Sequence, residues 1–179
     1  MENQRVFLTK KLLENALIKL LKKKSLYNIS VRELCDEASI NRSTFYKHFS
    51  SQFELFNYME DSLLKGIDSI FGQTNDDEEI LEAKLIKILK YLKENKEFSK
   101  LLLTNNFDPT FPQKLFSLKG INNAIKLTIH ENENESVVKL VTSFIISGSF
   151  AIIRTWLDED CVVKEDILAK LLSSITIKY

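Results

Sequence analysis

The sequence predicts an all-α protein: a three-helix head carrying a helix-turn-helix, then a larger helical-bundle body, about nine helices in all. Three observations carry this. Gly (4) and Pro (2) are scarce among 179 residues while Leu, Lys, Ile and Glu abound, a composition of helices joined by few turns. Apolar residues recur at helical spacing in one segment after another, without strand-like alternation of useful length, internal repeats or low-complexity runs. Residues 30–49, SVRELCDEASINRSTFYKHF, read as a short helix, a tight connection and a second short helix crowded with side-chain donors. The expected division puts residues 1–50 in the head and 51–179 in the body.

Thr9 is a plausible cap for the first helix, with Leu12, Leu13, Ala16, Leu17, Leu20 and Leu21 forming one apolar stripe. Lys22, Lys23 and Lys24 fall in its last turn, where the helix dipole favours them. Such a run is ordinarily a solvated face, and beside DNA it would add phosphate attraction. Ser30-Val31-Arg32-Glu33 is a capping box that starts the second helix, whose inner face is Val31, Leu34, Cys35 and Ala38. Ser39-Ile40-Asn41 makes the turn, Asn41 caps the third helix, and Phe45 and Phe49 point inward at i, i+4. Ile40 plugs the small core between these helices.

A second capping box, Ser51-Gln52-Phe53-Glu54, opens a fourth helix that runs to about Phe71 with Leu55, Tyr58, Met59, Ser62, Leu63 and Ile67 on one side. It joins head to body without a flexible linker and is a natural lever. A polar loop at 72–77 follows, then helices near 78–95, 96–104 and 112–130, with an irregular stretch around Pro109 and Pro112. After a polar run at 131–135 comes a long apolar helix, 136–157, and a last helix, 164–174, carrying Ile167, Leu168, Leu171, Leu172 and, just beyond it, Ile175.

Formal net charge is zero, but unevenly spread. Residues 1–56 hold 10 Lys and Arg against 6 Asp and Glu, and the remainder holds 15 against 19. A basic head on an acidic body fits a DNA reader attached to something else. Cys35 and Cys161 lack CxxC spacing and read as reduced buried thiols in a cytoplasmic protein. No apolar run is expected to reach the roughly 20 residues of a membrane span. The longest, 137–157, is broken by Lys139, Ser147, Ser149 and Arg154 and reads as a buried soluble helix, so no membrane partner is expected. His48 and His130 have no partner at metal-ligand spacing, and no catalytic triad order, phosphate loop or dinucleotide fingerprint occurs. Neither an enzyme nor a metal or cofactor is expected.

Asn41, Arg42, Ser43, Thr44, Tyr46, Lys47 and His48 are packed into eight residues. A core helix has no use for that density of polar groups. A helix in the major groove needs it, because base edges and phosphates are read by side-chain donors. The competing reading is an exposed polar helix without a partner.

The stretch SVRELCDEASINRSTFYKHFSSQFEL resembles the N-terminal signature of the tetracycline-repressor (TetR) family of bacterial regulators, its core being Thr44-Phe45-Tyr46-Lys47-His48-Phe49. The likeness covers about residues 7–60. Ser147-Gly148 inside an apolar helix and Trp156 near its end resemble a C-terminal subtype, some members of which sit near dihydroxyacetone-kinase genes. The resemblance implies that Asn41, Arg42, Ser43, Thr44 and Lys47 face the groove, with Arg42 suited to a bidentate guanine contact. It implies that Tyr46 and His48 hold phosphates, and that Arg32 reaches a base or phosphate. Thr44 serves the fold equally well. Two positions depart from the family: Ser39 stands where Gly is frequent, and Gln52 where a phosphate-binding Lys is usual, which removes one charged contact.

The 136–157 helix is apolar nearly all round and must be covered on both sides. Ser147, Gly148, Ser149 and Ala151 permit close backbone approach. The resemblance implies that this helix and the last one pair across a two-fold axis, with Phe144, Gly148, Ile152, Ile167 and Leu171 at a homodimer interface. A purely internal core helix is the alternative. The body is rich in Phe, and the resemblance implies an effector pocket among its helices, assigned to Tyr58, Tyr91, Phe98, Leu102, Phe116, Phe144 and Ser147. Asn105, Asn122 and Arg154 are further polar groups there. Such a pocket would take a small apolar or aromatic effector. Plain core packing explains each residue singly.

The expected function is therefore a sequence-specific DNA-binding regulator: a ligand-responsive repressor that binds a palindromic operator in double-stranded DNA as a dimer. The alternative is a coactivator or protein-interaction module of the same fold, with weak or no DNA binding.

Overall fold

Helix α1 (Gln4–Leu21) starts upstream of Thr9 in the computed structural model, which describes residues 4–72, 81–104, 107–121 and 134–176. The Thr9 hydroxyl donates to the Arg5 carbonyl at 2.9 Å, so this residue lies inside the helix and does not cap it. A threonine can satisfy its hydroxyl on the preceding turn, which makes it an ambiguous boundary mark. Leu13, Ala16, Leu17, Leu20 and Leu21 are buried, whereas Leu12, expected in the same stripe, is half exposed.

A single 3-10 turn (Leu26–Asn28) leads into α2 (Val31–Ala38), followed by α3 (Arg42–Phe45) and α4 (Gln52–Gly72). Then come α5 (Leu81–Glu94), α6 (Lys96–Thr104) and α7 (Phe111–Ser117). Helices α8 (Glu135–Asp158) and α9 (Glu165–Thr176) complete the described chain, in which no strand occurs. Of the loop expected at 72–77, Gly72 is instead the last residue of α4, and the remainder, the far half of the helix expected at 112–130, Asn105, Asn122 and His130 lie outside the described residues.

The chain divides into two compact units, Met1–Leu63 and Leu64–Tyr179, and the division falls within α4. In the first, α1 packs on α2 and α2 on α3 around Leu13, Leu17, Leu34, Phe45 and Leu55, all at 0% exposure. Full burial of each such side chain contributes about 1.5–3 kcal/mol. An aromatic run ties α4 to this core: Phe45 meets Phe49 at 6.0 Å, and Phe49 meets Tyr58 at 5.4 Å. The Lys10 ammonium lies 4.7 Å from the Tyr58 ring centre. These contacts explain why the first half of α4 belongs to the first unit. Ile40 is half-buried, while Ile29, just ahead of α2, is fully buried and does more to fill the core.

In the second unit α9 packs along α5, and α6 along α8. Leu89, Leu92, Leu168, Ala169 and Leu172 form one buried seam; Phe98, Leu102, Trp156 and Leu157 form another part of the interior. Gly66 of α4 sits under the Tyr91 ring of α5, so close that a Cβ there would lie 2.1 Å from the Tyr91 hydroxyl. The corner between α8 and α9 turns through two left-handed residues, Asp160 (φ 59) and Cys161 (φ 57). Cys161 N–H donates to the Trp156 carbonyl at 2.8 Å, and the Trp156 indole donates to the Val163 carbonyl at 2.8 Å. Lysines from α5 and α6 brace this corner through Lys93–Glu165 (2.6 Å), Lys96–Asp160 (2.8 Å) and Lys100–Asp158 (3.6 Å). Lys96 holds the Asp160 carboxyl below its ordinary range, and Lys93 does the same for Glu165.

A purely internal core helix, the alternative held open for α8, does not describe it: Ile145, Trp156 and Leu157 are buried, but Val137, Leu140 and Phe144 are exposed. The expectation that Lys139, Ser147, Ser149 and Arg154 break it below membrane-span grade is overturned, because its 24 residues contain an 18-residue window of mean hydropathy 1.9, which suffices by length and composition alone. Its four charged residues, Glu135, Lys139, Arg154 and Asp158, lie towards its two ends and leave the middle apolar.

Candidate nucleic-acid interface

The helix-turn-helix is set by its caps. The Ser30 hydroxyl accepts from Glu33 N–H at 3.2 Å, and the Glu33 carboxylate accepts from Ser30 N–H at 3.1 Å. Lys24, which with Lys22 and Lys23 follows α1 and does not lie in its last turn as expected, ion-pairs with the same carboxylate. The Lys24 hydrogen bond and then the Ser30 bonds pull Glu33 from the ordinary 4.5 down to about 2. One of the three lysines therefore anchors α2, while Lys22 and Lys23 are exposed.

At its other end, α2 stops on Ser39 in the left-handed region, φ 55 and ψ 41, with Ile40 N–H donating to the Cys35 carbonyl at 2.9 Å. This is the position where glycine fits without a Cβ penalty. Asn41 then takes an extended conformation, φ −66 and ψ 141, and occupies the N-cap position of α3, but its side chain makes no capping bond. Its exposed amide keeps its donor and acceptor, the pair that reads an adenine edge.

The α3 segment is short. Beyond Phe45 the chain tightens, with Tyr46 N–H donating to the Arg42 carbonyl and His48 N–H to the Phe45 carbonyl, each at 2.9 Å. Phe45 (0%) and Phe49 (4%) face inward. Asn41, Arg42, Ser43, Tyr46 and Lys47 are exposed, and Thr44 and His48 are half-buried. The inward anchors thus turn every donor picked from the sequence outward or to the rim. Tyr46 stands edge-on to Phe45 at 5.5 Å, which fixes its ring while its hydroxyl end projects. Arg32 is exposed on α2 and lies 3.8 Å from Asp36, an exposed pairing too weak to hold it back.

Gln52 is half-buried at the first turn of α4. The capping box there differs from the expected one. Ser51 accepts from Glu54 N–H at 3.2 Å, but the Glu54 carboxylate reaches back to Ser50, whose hydroxyl donates at 2.6 Å, and not to Ser51. Those Ser50 bonds hold Glu54 below its ordinary range. One arrangement escaped the sequence altogether: Tyr27 of the 3-10 turn packs edge-on against Phe53 of α4, centroids 5.3 Å apart. No periodicity links positions so far apart in sequence.

The residues assigned to an effector are less united. Phe98 and Leu102 are buried, Tyr91 and Phe116 half-buried, and Phe144 and Ser147 exposed. Tyr58 belongs to the first unit, between Phe49 and Lys10. Of the dimer residues, Phe144, Ile167 and Leu171 are exposed and Ile152 and Gly148 half-buried. A Cβ on Gly148 would meet nothing within 4 Å.

Known proteins share this organisation. A family model for bacterial regulatory proteins of the tetR family matches residues 13–59, and one for a transcriptional regulator C-terminal region matches residues 78–178. The HTH-type dhaKLM operon transcriptional activator DhaS of Lactococcus lactis is 26% identical over 177 residues, covering 94% of this chain and 87% of that protein. Among solved structures, a TetR transcriptional regulator from Streptococcus agalactiae superposes with a TM-score of 0.68 at 23% identity, covering 97% of this chain and 96% of its own. NalD, the secondary repressor of the MexAB-OprM efflux pump in Pseudomonas aeruginosa, gives 0.55 at 15% identity, covering 95% of each chain. The matched families span both the donor-lined head and the helical body, and the chain accordingly belongs to the TetR family and is a DNA-binding transcriptional regulator.

Proposed function

We propose that two copies of this chain pair through α8 and α9 and bind a palindromic duplex site in the cytoplasm, repressing transcription by occupying it. The observation that carries the reading is the apolar face that one chain leaves uncovered. Leu140 is 71% exposed and Phe144 59% on α8, with Ile167 at 59% and Leu171 at 47% on α9. Those spacings put each set on one helix face. An isologous two-fold contact buries the same stripe on both copies, at about 25 cal/mol for each Å² of apolar surface removed from water. A second copy suits this face better than lipid does, because α9, with 12 residues, is too short to span a bilayer.

Two recognition segments so paired would meet successive major grooves about 34 Å apart. Effector binding in the Phe-rich second unit, around Phe98 and Leu102, would act through α4 and must favour one separation of the heads over the other. A small apolar or aromatic ligand fits that interior. Activation is the second reading of the sign, favoured by the name of the Lactococcus relative.

Phe144→Glu tests the pairing. It places a charge on the uncovered face without touching the first unit, so equilibrium sedimentation should shift from dimer to monomer while helicity is kept. A variant that stays dimeric rules this face out. A reporter read with and without the protein decides between repression and activation.

A further inference from the structure

We infer that Tyr27 and Phe53 form an aromatic clip that holds the DNA backbone beside the recognition segment, the Tyr27 hydroxyl donating to a phosphate oxygen. The inference deepens the DNA-binding reading and rests on it. Tyr27 is 83% exposed, so its ring contributes little to the core. It is nevertheless positioned, since its ring stands edge-on to Phe53 at 5.3 Å and 60°, and Phe53 is itself 36% exposed. An aromatic ring fixed on one side and bare on the other, with a polar tip, suits a surface that is part apolar sugar and part anionic phosphate.

The place in the fold identifies the partner. Tyr27 lies in the turn that leads to Ser30, the cap of α2, and Phe53 is the second residue of α4. Their contact therefore brings the beginnings of α2 and α4 side by side. In a helix-turn-helix the helix before the recognition helix crosses the phosphodiester chain, so the turn that precedes α2 lies along that chain. The capping carboxylates Glu33 and Glu54 already satisfy the amino ends of both helices, so the attraction for an anion comes from the exposed Lys22 and Lys23, which precede the turn. Of the pair's sequence neighbours Leu26 is buried in the core, which leaves Asn28, Gln52 and Glu54 as the polar groups beside it and favours a polar partner over an apolar protein surface. Tyrosine hydroxyls are regular donors to phosphate.

The test uses the full chain and a duplex selected by it from a random library. Tyr27→Phe keeps the ring pair and removes only the hydroxyl. It should leave the melting temperature unchanged and weaken binding about tenfold, the loss expected for a hydrogen bond to a charged group. The loss should be equal on specific and nonspecific duplexes. The salt slope should not change, because no charge is removed, whereas Lys23→Ala in parallel should lower it by about one contact. In a scan of duplexes with methylphosphonates at symmetric pairs of positions, one pair should weaken wild type about tenfold more than it weakens Tyr27→Phe. Wild-type affinity in Tyr27→Phe, or a loss confined to one base pair, overturns the clip and leaves the pair to another partner. Should wild type itself select no duplex, the DNA-binding reading and the clip fall together.

Discussion

Ser39 holds the turn of the helix-turn-helix in a conformation that L residues resist, with φ at 55. The penalty for a non-glycine residue there is about 1–2 kcal/mol. Glycine escapes it but gives back part through its freer unfolded chain. Ser39→Gly should therefore raise unfolding stability by a net of about 1 kcal/mol, read as a higher urea midpoint at unchanged slope. A lower midpoint would mean that the serine makes an interaction worth more than the strain. At this scale the sequence was informative where chemistry is local. Glu33 sits three residues from Ser30 and caps it as the pattern requires. It was silent where chemistry is long-range: nothing in the sequence pairs Lys24 with Glu33, or Tyr27 with Phe53.

Among the elements, α4 is the one through which the proposed effector response would act. Gly66 gives it a flat spot on which the Tyr91 ring rests, and an added Cβ would fall 2.1 Å from the hydroxyl and 2.2 Å from Cζ. Two opposed effects decide Gly66→Ala. Helix propensity favours alanine by about 1 kcal/mol, and overpacking costs about 1–3 kcal/mol. The clash should win in wild type, lowering stability. In a Tyr91→Ala background the same substitution should raise it by about 1 kcal/mol. A gain in both backgrounds, measured by thermal unfolding, would show that the ring moves aside freely and that α4 and α5 are not tightly coupled here. Helix positions were legible because the apolar periods are strong, as in α6, whose ends match the sequence reading residue for residue. The start of α1 was not, because Thr9 satisfies its hydroxyl inside the helix. What covers α8 was left open for a different reason. Periodicity says which faces are apolar, not whether the covering surface comes from the same chain.

For the whole molecule, the proposed account is a paired body holding two readers, and the uncovered stripe of α8 and α9 and the outward donors of residues 41–48 support it. In that account the basic excess of residues 1–56 supplies attraction without sequence preference, and Arg42 and Asn41 supply the preference. The fold was legible almost whole from a short signature and helical periodicity. The exposed apolar face of α8 and α9 was legible as apolar residues but not as an uncovered surface, since a single sequence does not state how many copies share a core.

The most direct test is selection of the purified protein against a random duplex library at two salt concentrations, with the mass of the complex measured on the winning duplex. The account predicts an enriched palindrome with half-sites about 34 Å apart or a multiple of that, bound by two chains. Arg42→Ala should lose about 1–3 kcal/mol at one symmetric base pair and little elsewhere. Weak binding without sequence preference that vanishes at the higher salt would contradict it, and so would a single chain bound to an asymmetric site.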